Sequence, residues 1–223
     1  MQASRKFSSI VLSVLLAGTL LSPIVSGSNE EKPLSSKNPY IDAISPGDNV
    51  PEVVNAIIEI PKGERLKYEI DKKFGILKVD RLVNASFNFP ANYGFIPQTL
   101  EDDGDPLDVL IISSVSIHPL ALVECRVIGV MPMVDQGAGD NKILAVIEND
   151  AEYAHFKDVE DIPAEVTKQI KDFFVNYKKS EGKVVVIEDF GNKNEAYKVI
   201  QQALKLYKTK QKEASLGGDR DSL

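Results

Sequence analysis

VVNAIIEIPKGERLKYEIDKKFGILKVDRL, residues 53–82, contains three strand patterns in thirty residues. The first, VVNAIIEI (53–60), is rich in the β-branched residues that favour strands. LKYEID (66–71) and ILKVDRL (76–82) flank the short turn KKFG, in which Gly75 is free to adopt a positive φ, and this arrangement predicts a β-hairpin. The stretch therefore favours a fold that begins as an antiparallel sheet.

Further strands precede the first helical pattern. Five to seven strands before any helix indicate a closed or nearly closed antiparallel barrel. The predicted fold class is α+β, a five-stranded OB-like closed β-barrel with two flanking α-helices. These strand candidates are PLDVLII (106–112), LVECRVIGVMPMV (122–134) and KILAVIE (142–148). Apolar stripes predict helices around 163–178 and 193–208, and VVVIEDF (184–190) is a further strand candidate between them.

Composition narrows the class of protein. The chain has 223 residues, 43% of them apolar, and a net charge of −7, which suits one soluble globular domain and argues against a nucleic-acid partner. Cys125 is the sole cysteine, so an intrachain disulfide is impossible, and its apolar neighbours predict a small buried side chain. His118 and His155 are isolated and have no metal-ligand spacing.

The amino terminus has the layout of a secretory signal. Arg5 and Lys6 precede a 12-residue apolar run at 10–21, and small residues follow. Twelve residues are too few to cross a hydrocarbon core of about 30 Å, so we expect no stable membrane anchor. The predicted location is periplasmic or secreted, with an uncleaved anchor, an organelle or the cytoplasm as alternatives. The predicted divisions are a signal peptide (1–27), a linker (28–44), the folded domain (45–210) and a disordered tail (211–223).

Negative charge is concentrated at the start of one strand. In EDDGDPLDVLII (101–112), five acidic residues lie within eight positions, and Asp103, Asp105 and Asp108 are separated by Gly and Pro in a turn that cannot be helical. Like charges this close repel unless a cation lies among them. The stretch therefore predicts a cation site.

A second acidic turn repeats the spacing. In VDQGAGDNKI (134–143), Asp135 and Asp140 are five apart. Hard divalent cations take oxygen ligands, and Mg²⁺ is commonly shared between carboxylates and phosphates. The EF-hand pattern is not met. Two such turns at the starts of strands predict a site for several Mg²⁺ ions.

Basic residues lie within the strand patterns. Lys67 and Glu69 share a strand face, as do Asp140 and Lys142, because they are two apart. Arg81 ends the hairpin, and Glu59 is a carboxylate inside an apolar strand. Metal ions together with cationic side chains are what phosphoryl transfer requires.

DGDPLDVLI resembles the signature of the soluble (family I) inorganic pyrophosphatases. AIIEIPKG, LKYEIDK, VDR, FPANYGFIP, RVIGVMPMVDQGAGDNKILAV, KDVEDIP and FFVNYK occur in that family's order and spacing, and together they cover roughly residues 45–190. The resemblance implies Mg²⁺-dependent hydrolysis of pyrophosphate to two phosphates by a metal-bridged water. It also implies a homo-oligomer, with a hexamer favoured.

The resemblance also implies a role for each residue. Asp103, Asp108 and Asp140 hold the first metal and Asp108 also the second, while Asp105 is the general base. Asp135 and Asp140 hold a metal that arrives with substrate. Glu69 contacts another metal, and Glu59 supports the site through water. The phosphate-binding set is Lys67, Arg81, Tyr93, Lys142, Tyr177 and Lys178, with Tyr93 also assigned to catalysis.

Two positions depart from the commonest family pattern. Phe89 stands where many members have Tyr, and Gln136 where many have Glu. Neither change removes a metal ligand or a phosphate-binding cation.

Two other functions remain open at this point. One is an exported, non-enzymatic barrel that binds Ca²⁺, for which convergent Lys and Arg residues have no use. The other is a metal-dependent phosphohydrolase that acts on a different phosphoanhydride.

Overall fold

Five strands close into a barrel in the computed structural model, which describes residues 38–83, 87–179, 182 and 185–217. In chain order the strands are β1 (Val53–Ile60), β2 (Leu66–Ile70), β3 (Leu77–Leu82), β4 (Asn92–Phe95), β5 (Asp108–Ile112), β6 (Leu122–Met131), β7 (Met133–Asp135), β8 (Ala138–Gly139), β9 (Lys142–Val146), β10 (Val185–Ile187) and β11 (Gly191–Asn192). The helices are α1 (Ala164–Asn176) and α2 (Lys193–Gly217), and a short 3-10 helix covers Val159–Asp161.

The barrel is closed because its last strand pairs with its first. The strand order is β1–β4–β5–β9–β6, and β6 pairs again with β1. Four of these five pairings are antiparallel, whereas β5 and β9 run parallel. The predicted five-stranded closed barrel is confirmed, with one parallel pair that the sequence pattern did not reveal.

The barrel strands are buried on both faces. In β5, Val109 and Ile111 belong to one apolar cluster, and Leu110 and Ile112 belong to the other. Large apolar side chains that become fully buried contribute about 1.5–3 kcal/mol each. One predicted helix covers each cluster, α1 through Ile170, Phe173 and Phe174 and α2 through Ala196, Ile200 and Ala203.

The predicted hairpin forms a separate two-stranded sheet. β2 pairs with β3, and Lys67 lies opposite Arg81 at a register irregularity. Gly75 has a φ of 63° in the connecting turn, a conformation that favours glycine. The hairpin meets the barrel through Ile70 and Leu77, which pack near Phe95.

Two predicted divisions need correction. Residues 38–44, expected to be part of a linker, pack on the fold, since Ile41 and Ile44 contact the cluster beneath the hairpin. Residues 211–217, expected to be disordered, are helical because α2 continues past the predicted end at 208. Asp42 joins these two segments, since its Oδ1 accepts hydrogen bonds from the Tyr207 hydroxyl (2.6 Å) and the Gln211 amide (3.3 Å).

The predicted signal peptide, the rest of the linker and residues 218–223 lie outside the described residues. Among the helices that the structure describes, none is long and apolar enough to cross a membrane.

Candidate active site

The acidic turn before β5 is held by its own hydrogen bonds. Asp103 Oδ1 accepts from the backbone N–H of Asp105 (2.9 Å), and the Asp105 carbonyl accepts from the N–H of Glu101 (2.8 Å). Gly104 has a φ of 86°, which lets the chain reverse between the two aspartates. Asp108 then opens β5, so the turn places three carboxylates beside the start of one strand.

The parallel neighbour of β5 brings a lysine to the same place. Lys142 lies opposite Asp108 in the β5–β9 ladder. Its Nζ donates to Asp108 Oδ2 (2.6 Å) and to Asp140, and only 1% of its side chain is exposed. Burial alone lowers the pKa of Lys142, but the two carboxylates outweigh it and hold the pKa above its usual value. The ammonium is therefore charged and locked between two predicted metal ligands.

The carboxylates of this site raise one another's pKa. Burial raises the pKa of Asp108 to about 6, Asp140 adds to the effect, and Lys142 opposes it. Glu59, whose Oε1 accepts from the N–H of Ile70 (2.8 Å), has its pKa raised to about 8, mainly by burial. Burial is the main cause of both shifts, and a cation bound beside these groups would favour their charged forms.

The second acidic turn faces a lysine from the end of α1. Asp135 Oδ2 pairs with Lys178, and both side chains are mostly buried. Gln136 and Gly137 have φ values of 51° and 90°, which form the tight turn between β7 and β8. Asp135 Oδ1 is buried and has no hydrogen-bond partner among the described residues. The turn thus offers a buried oxygen with unused capacity to bind a cation.

The hairpin supplies cations from the opposite side. Lys67 pairs with Glu69 and lies 3.5 Å from Asp80, and the Arg81 Nη1 donates to Asp80 (2.6 Å). Burial lowers the pKa of Lys67, but its hydrogen bond to Glu69 and the negative charges of Glu69 and Asp80 together outweigh this and raise the pKa overall. Asp80 was not predicted, because a single acidic residue at the end of a half-exposed strand gives no distinguishing pattern.

Two tyrosines complete the wall. The Tyr93 hydroxyl donates to Asp108, and the Tyr177 ring stacks on Phe173 with centroids 5.3 Å apart. Phe89 lies 5.6 Å from Tyr93 between ring centroids. Tyr177, directly after α1, also lines the pocket described next.

These side chains enclose a pocket of about 440 Å³. Lys142 lies beneath its wall rather than on its surface, because Asp108 and Asp140 draw its ammonium inward, and Arg81 does not line it either. The structure therefore gathers eleven of the thirteen predicted site residues around one pocket, namely Glu59, Lys67, Glu69, Tyr93, Asp103, Asp105, Asp108, Asp135, Asp140, Tyr177 and Lys178.

Lys72 also lines the pocket but was not predicted. Its Nζ pairs with Asp105 Oδ1 and donates to the Gly104 carbonyl (3.2 Å). Lys72 belongs to the hairpin turn, where strand alternation assigns no face, and the sequence carries no signal that would select it from its neighbour Lys73.

The residues fit a hard divalent cation. The donors are carboxylates, burial raises the pKa of Asp108 and of Glu59, and Asp135 Oδ1 lacks a hydrogen-bond partner among the described residues. Within the described ranges, no three Asp, Glu, His or Cys side chains already form a cage for a metal ion. Instead, Lys142 and Lys178 contact the carboxylates and neutralise part of their charge.

Comparison with known proteins decides the family. Residues 56–208, more than two thirds of the chain, match the family model described as inorganic pyrophosphatase. The chain belongs to the inorganic pyrophosphatase family. The resemblance inferred from the motifs is thereby confirmed, and so is the prediction that the chain is a hydrolase.

Individual relatives in the inorganic pyrophosphatase family support this. A soluble inorganic pyrophosphatase of Oryza sativa subsp. indica is 45% identical over 161 residues, covering 72% of this chain and 75% of its own. Soluble inorganic pyrophosphatase 2 of Chlamydomonas reinhardtii is 43% identical over 173 residues, covering 78% of this chain and 90% of its own. The crystal structure of the Thermus thermophilus inorganic pyrophosphatase is 37% identical, with a TM-score of 0.72, and covers 77% of this chain and 99% of that one.

Proposed function

We propose that this chain hydrolyses pyrophosphate to two phosphates with Mg²⁺, and that Asp105 is the general base. The observation that supports the proposal most strongly is the pocket itself, in which two carboxylate turns face Lys67 and Lys178. A barrel that only bound Ca²⁺ would have no use for those cations. A substrate rich in negative charge, in contrast, would be bound by these two lysines.

The hairpin and the end of α1 bind and orient the phosphates in this proposal. Lys67 and Lys178 are mostly buried, so their charges act in a medium of lower polarity than water and are weakly screened. Arg81 supports this side from the strand opposite Lys67. The Tyr177 phenol supplies a hydrogen-bond donor on the remaining wall, beside Tyr93, whose hydroxyl donates to Asp108.

The carboxylates handle the metal and the proton. Bound Mg²⁺ would neutralise charge and acidify water, and the residues that would hold it are Asp103, Asp108, Asp135 and Asp140, with Glu69 and Glu59 in support. Asp105 is 55% exposed at the pocket, where water reaches it freely. Lys72 contacts its Oδ1, so we assign the proton of the attacking water to Oδ2.

Phosphate release tests the reaction. Wild-type protein with Mg²⁺ should release phosphate from pyrophosphate much faster than from triphosphate or ATP. No release from pyrophosphate would refute the proposed reaction, and faster release from triphosphate would favour a different phosphoanhydride.

Two variants test the roles. Asp105→Asn should lower kcat by about 10²- to 10⁴-fold, because the amide cannot accept a proton. Its Mg²⁺ requirement should change little. Asp108→Asn should raise the Mg²⁺ concentration needed for half-maximal activity, so that added Mg²⁺ restores part of the rate. The matched control is Asp102→Asn, since Asp102 is in the same turn but does not line the pocket. Rescue of Asp105→Asn by Mg²⁺ without rescue of Asp108→Asn would reverse the two assignments.

We also propose export and hexamer formation, on the basis of the leader sequence and the family resemblance. Amino-terminal sequencing of native protein should read from near Ser28, and a sequence that starts at Met1 would contradict cleavage. Light scattering coupled to size-exclusion chromatography should give six chains per particle. A monomer mass would contradict the assembly.

A further inference from the structure

The two acidic turns are joined by a pair of residues outside the pocket lining. The Asn141 backbone N–H donates to Glu101 Oε2 (2.8 Å), and the Asn141 side-chain Nδ2 donates to Glu101 Oε1 (2.8 Å). One carboxylate therefore receives two hydrogen bonds from one residue, across a separation of forty positions in sequence. Two parallel hydrogen bonds between one carboxyl group and one residue fix direction as well as distance.

Each member of the pair is tied to a different turn. The Glu101 N–H donates to the Asp105 carbonyl (2.8 Å), and the Glu101 carbonyl accepts from Gly104 (3.1 Å). Asn141 lies between Asp140 and Lys142 in sequence. A shift of Glu101 against Asn141 would therefore move the first carboxylate turn against the second.

A second link between the turns does not replace this one. Lys142 also spans Asp108 and Asp140, but its ammonium occupies the positions where a bound cation would compete. Glu101 and Asn141 do not line the pocket, so their hydrogen bonds are compatible with any occupant. The β5–β9 ladder holds Asp108 opposite Lys142, and with a cation present the position of the loop that carries Asp103 and Asp105 against Asp140 then depends on this pair.

We propose that Glu101 and Asn141 form a positioning clamp that sets the separation of the two carboxylate turns and thereby their affinity for divalent cations. The inference rests on the proposed function, because it takes Asp103, Asp108 and Asp140 as the groups that hold the metal. Partners that orient metal ligands typically change metal affinity by about 10- to 100-fold when removed. Neither residue is assigned to the reacting atoms.

The test exchanges donor and acceptor across the clamp. Asn141→Asp places two carboxylates face to face and should weaken Mn²⁺ binding about tenfold. In the double variant Glu101→Gln/Asn141→Asp, the glutamine Oε1 still accepts from the backbone N–H, and its Nε2 donates to the new carboxylate. The double variant has the net charge of the wild type and should bind Mn²⁺ within about twofold of it.

Binding is measured by electron paramagnetic resonance of free Mn²⁺, which needs no catalytic activity. The Mg²⁺ dependence of kcat and KM is measured alongside, and KM at saturating Mg²⁺ should change little. Asp102→Asn is the control, because it alters charge beside Glu101 without touching the clamp. Thermal unfolding in EDTA identifies any variant that fails to fold, and the charge-matched double variant must then restore both folding and affinity.

The outcomes separate this inference from the proposed function. Wild-type protein that releases no phosphate refutes the function, while Mn²⁺ binding still tests the clamp. Tighter Mn²⁺ binding by Asn141→Asp would show that added charge matters more than geometry and would overturn the clamp. Failure of the double variant to regain affinity would overturn it as well, and no Mn²⁺ binding by the wild type would overturn both proposals.

Discussion

Replacing Lys142 by methionine removes an ammonium that contacts both Asp108 and Asp140. Methionine fills nearly the same space as the lysine stem, so little cavity forms and the lost charge dominates. In the metal-free variant, Asp108 and Asp140, whose side chains are 19% and 11% exposed, both lose this ion-pair partner. The folded state must then bear their repulsion and their desolvation.

The magnitude follows from burial. Removing one partner of a buried ion pair costs about 3–5 kcal/mol. We take the lower end, about 3 kcal/mol, because both carboxylates keep some exposure to the pocket. For a domain of this size, each kcal/mol shifts Tm by about 2–4 °C, so Lys142→Met should lower Tm by about 6–12 °C in EDTA.

The measurement is thermal and urea unfolding with EDTA and again with Mg²⁺. The difference in Tm and in the free energy of unfolding between variant and wild type should become smaller with Mg²⁺, because a divalent cation can neutralise the same carboxylates. It should also narrow at pH 5, since the pKa of Asp108 is already about 6 and rises further once the ammonium is gone. Turnover should still fall by about 10²- to 10³-fold, as expected when one charge-stabilising group is lost.

The control is Lys168→Met, which breaks an exposed i,i+4 pair with Asp172 on α1 and should cost less than about 0.5 kcal/mol. A loss for Lys142→Met no larger than for this control would refute the reasoning. So would a gap that stays the same when Mg²⁺ is added.

Two further predictions concern the pocket wall. The pKa of Glu59 is raised to about 8, so ionising it costs more in the folded state than in the unfolded state. In EDTA the free energy of unfolding of the wild type should therefore fall relative to that of Glu59→Gln as pH rises from about 5 to 8, by as much as about 4 kcal/mol. Parallel curves of this free energy against pH, measured by urea unfolding, would contradict the shift. Lys72→Met should change kcat/KM by less than about fivefold, because the ion pair of Lys72 with Asp105 is exposed and such pairs contribute at most about 1 kcal/mol. Lys73→Met is the control at the neighbouring position. A hundredfold loss of kcat/KM in Lys72→Met would mean that Lys72 contacts substrate.

Alternation and helical stripes were sufficient to predict the barrel and both helices. β1 has the predicted bounds, 53–60, because its apolar run ends where Pro61 cannot continue the ladder. Strand pairing was not predictable in the same way. The contact between Asp108 and Lys142 depends on the parallel alignment of β5 with β9, and neither strand carries a signal for its partner.

Long-range polar contacts explain what the sequence patterns missed. The last turns of α2 are polar, and polar composition alone suggested disorder. In the structure Tyr207 reaches Asp42, 165 positions earlier, which ties this part of the helix to the fold. The Glu101–Asn141 pair was missed for a related reason. Each residue lies in an acidic loop, and the aspartates beside it were the residues that the spacing marked as metal ligands.

The separate sheet of β2 and β3 has a consequence for how a ligand would act on the whole molecule. An isolated two-stranded hairpin is at best marginally stable in water, and within the described part of the chain this one shares no backbone ladder with the barrel. Lys67 belongs to the hairpin, whereas Asp108 and Asp140 belong to the barrel side of the pocket. An anion and cations bound between them would therefore link the two sheets. Part of the binding free energy would then stabilise the hairpin, which is marginally stable by itself.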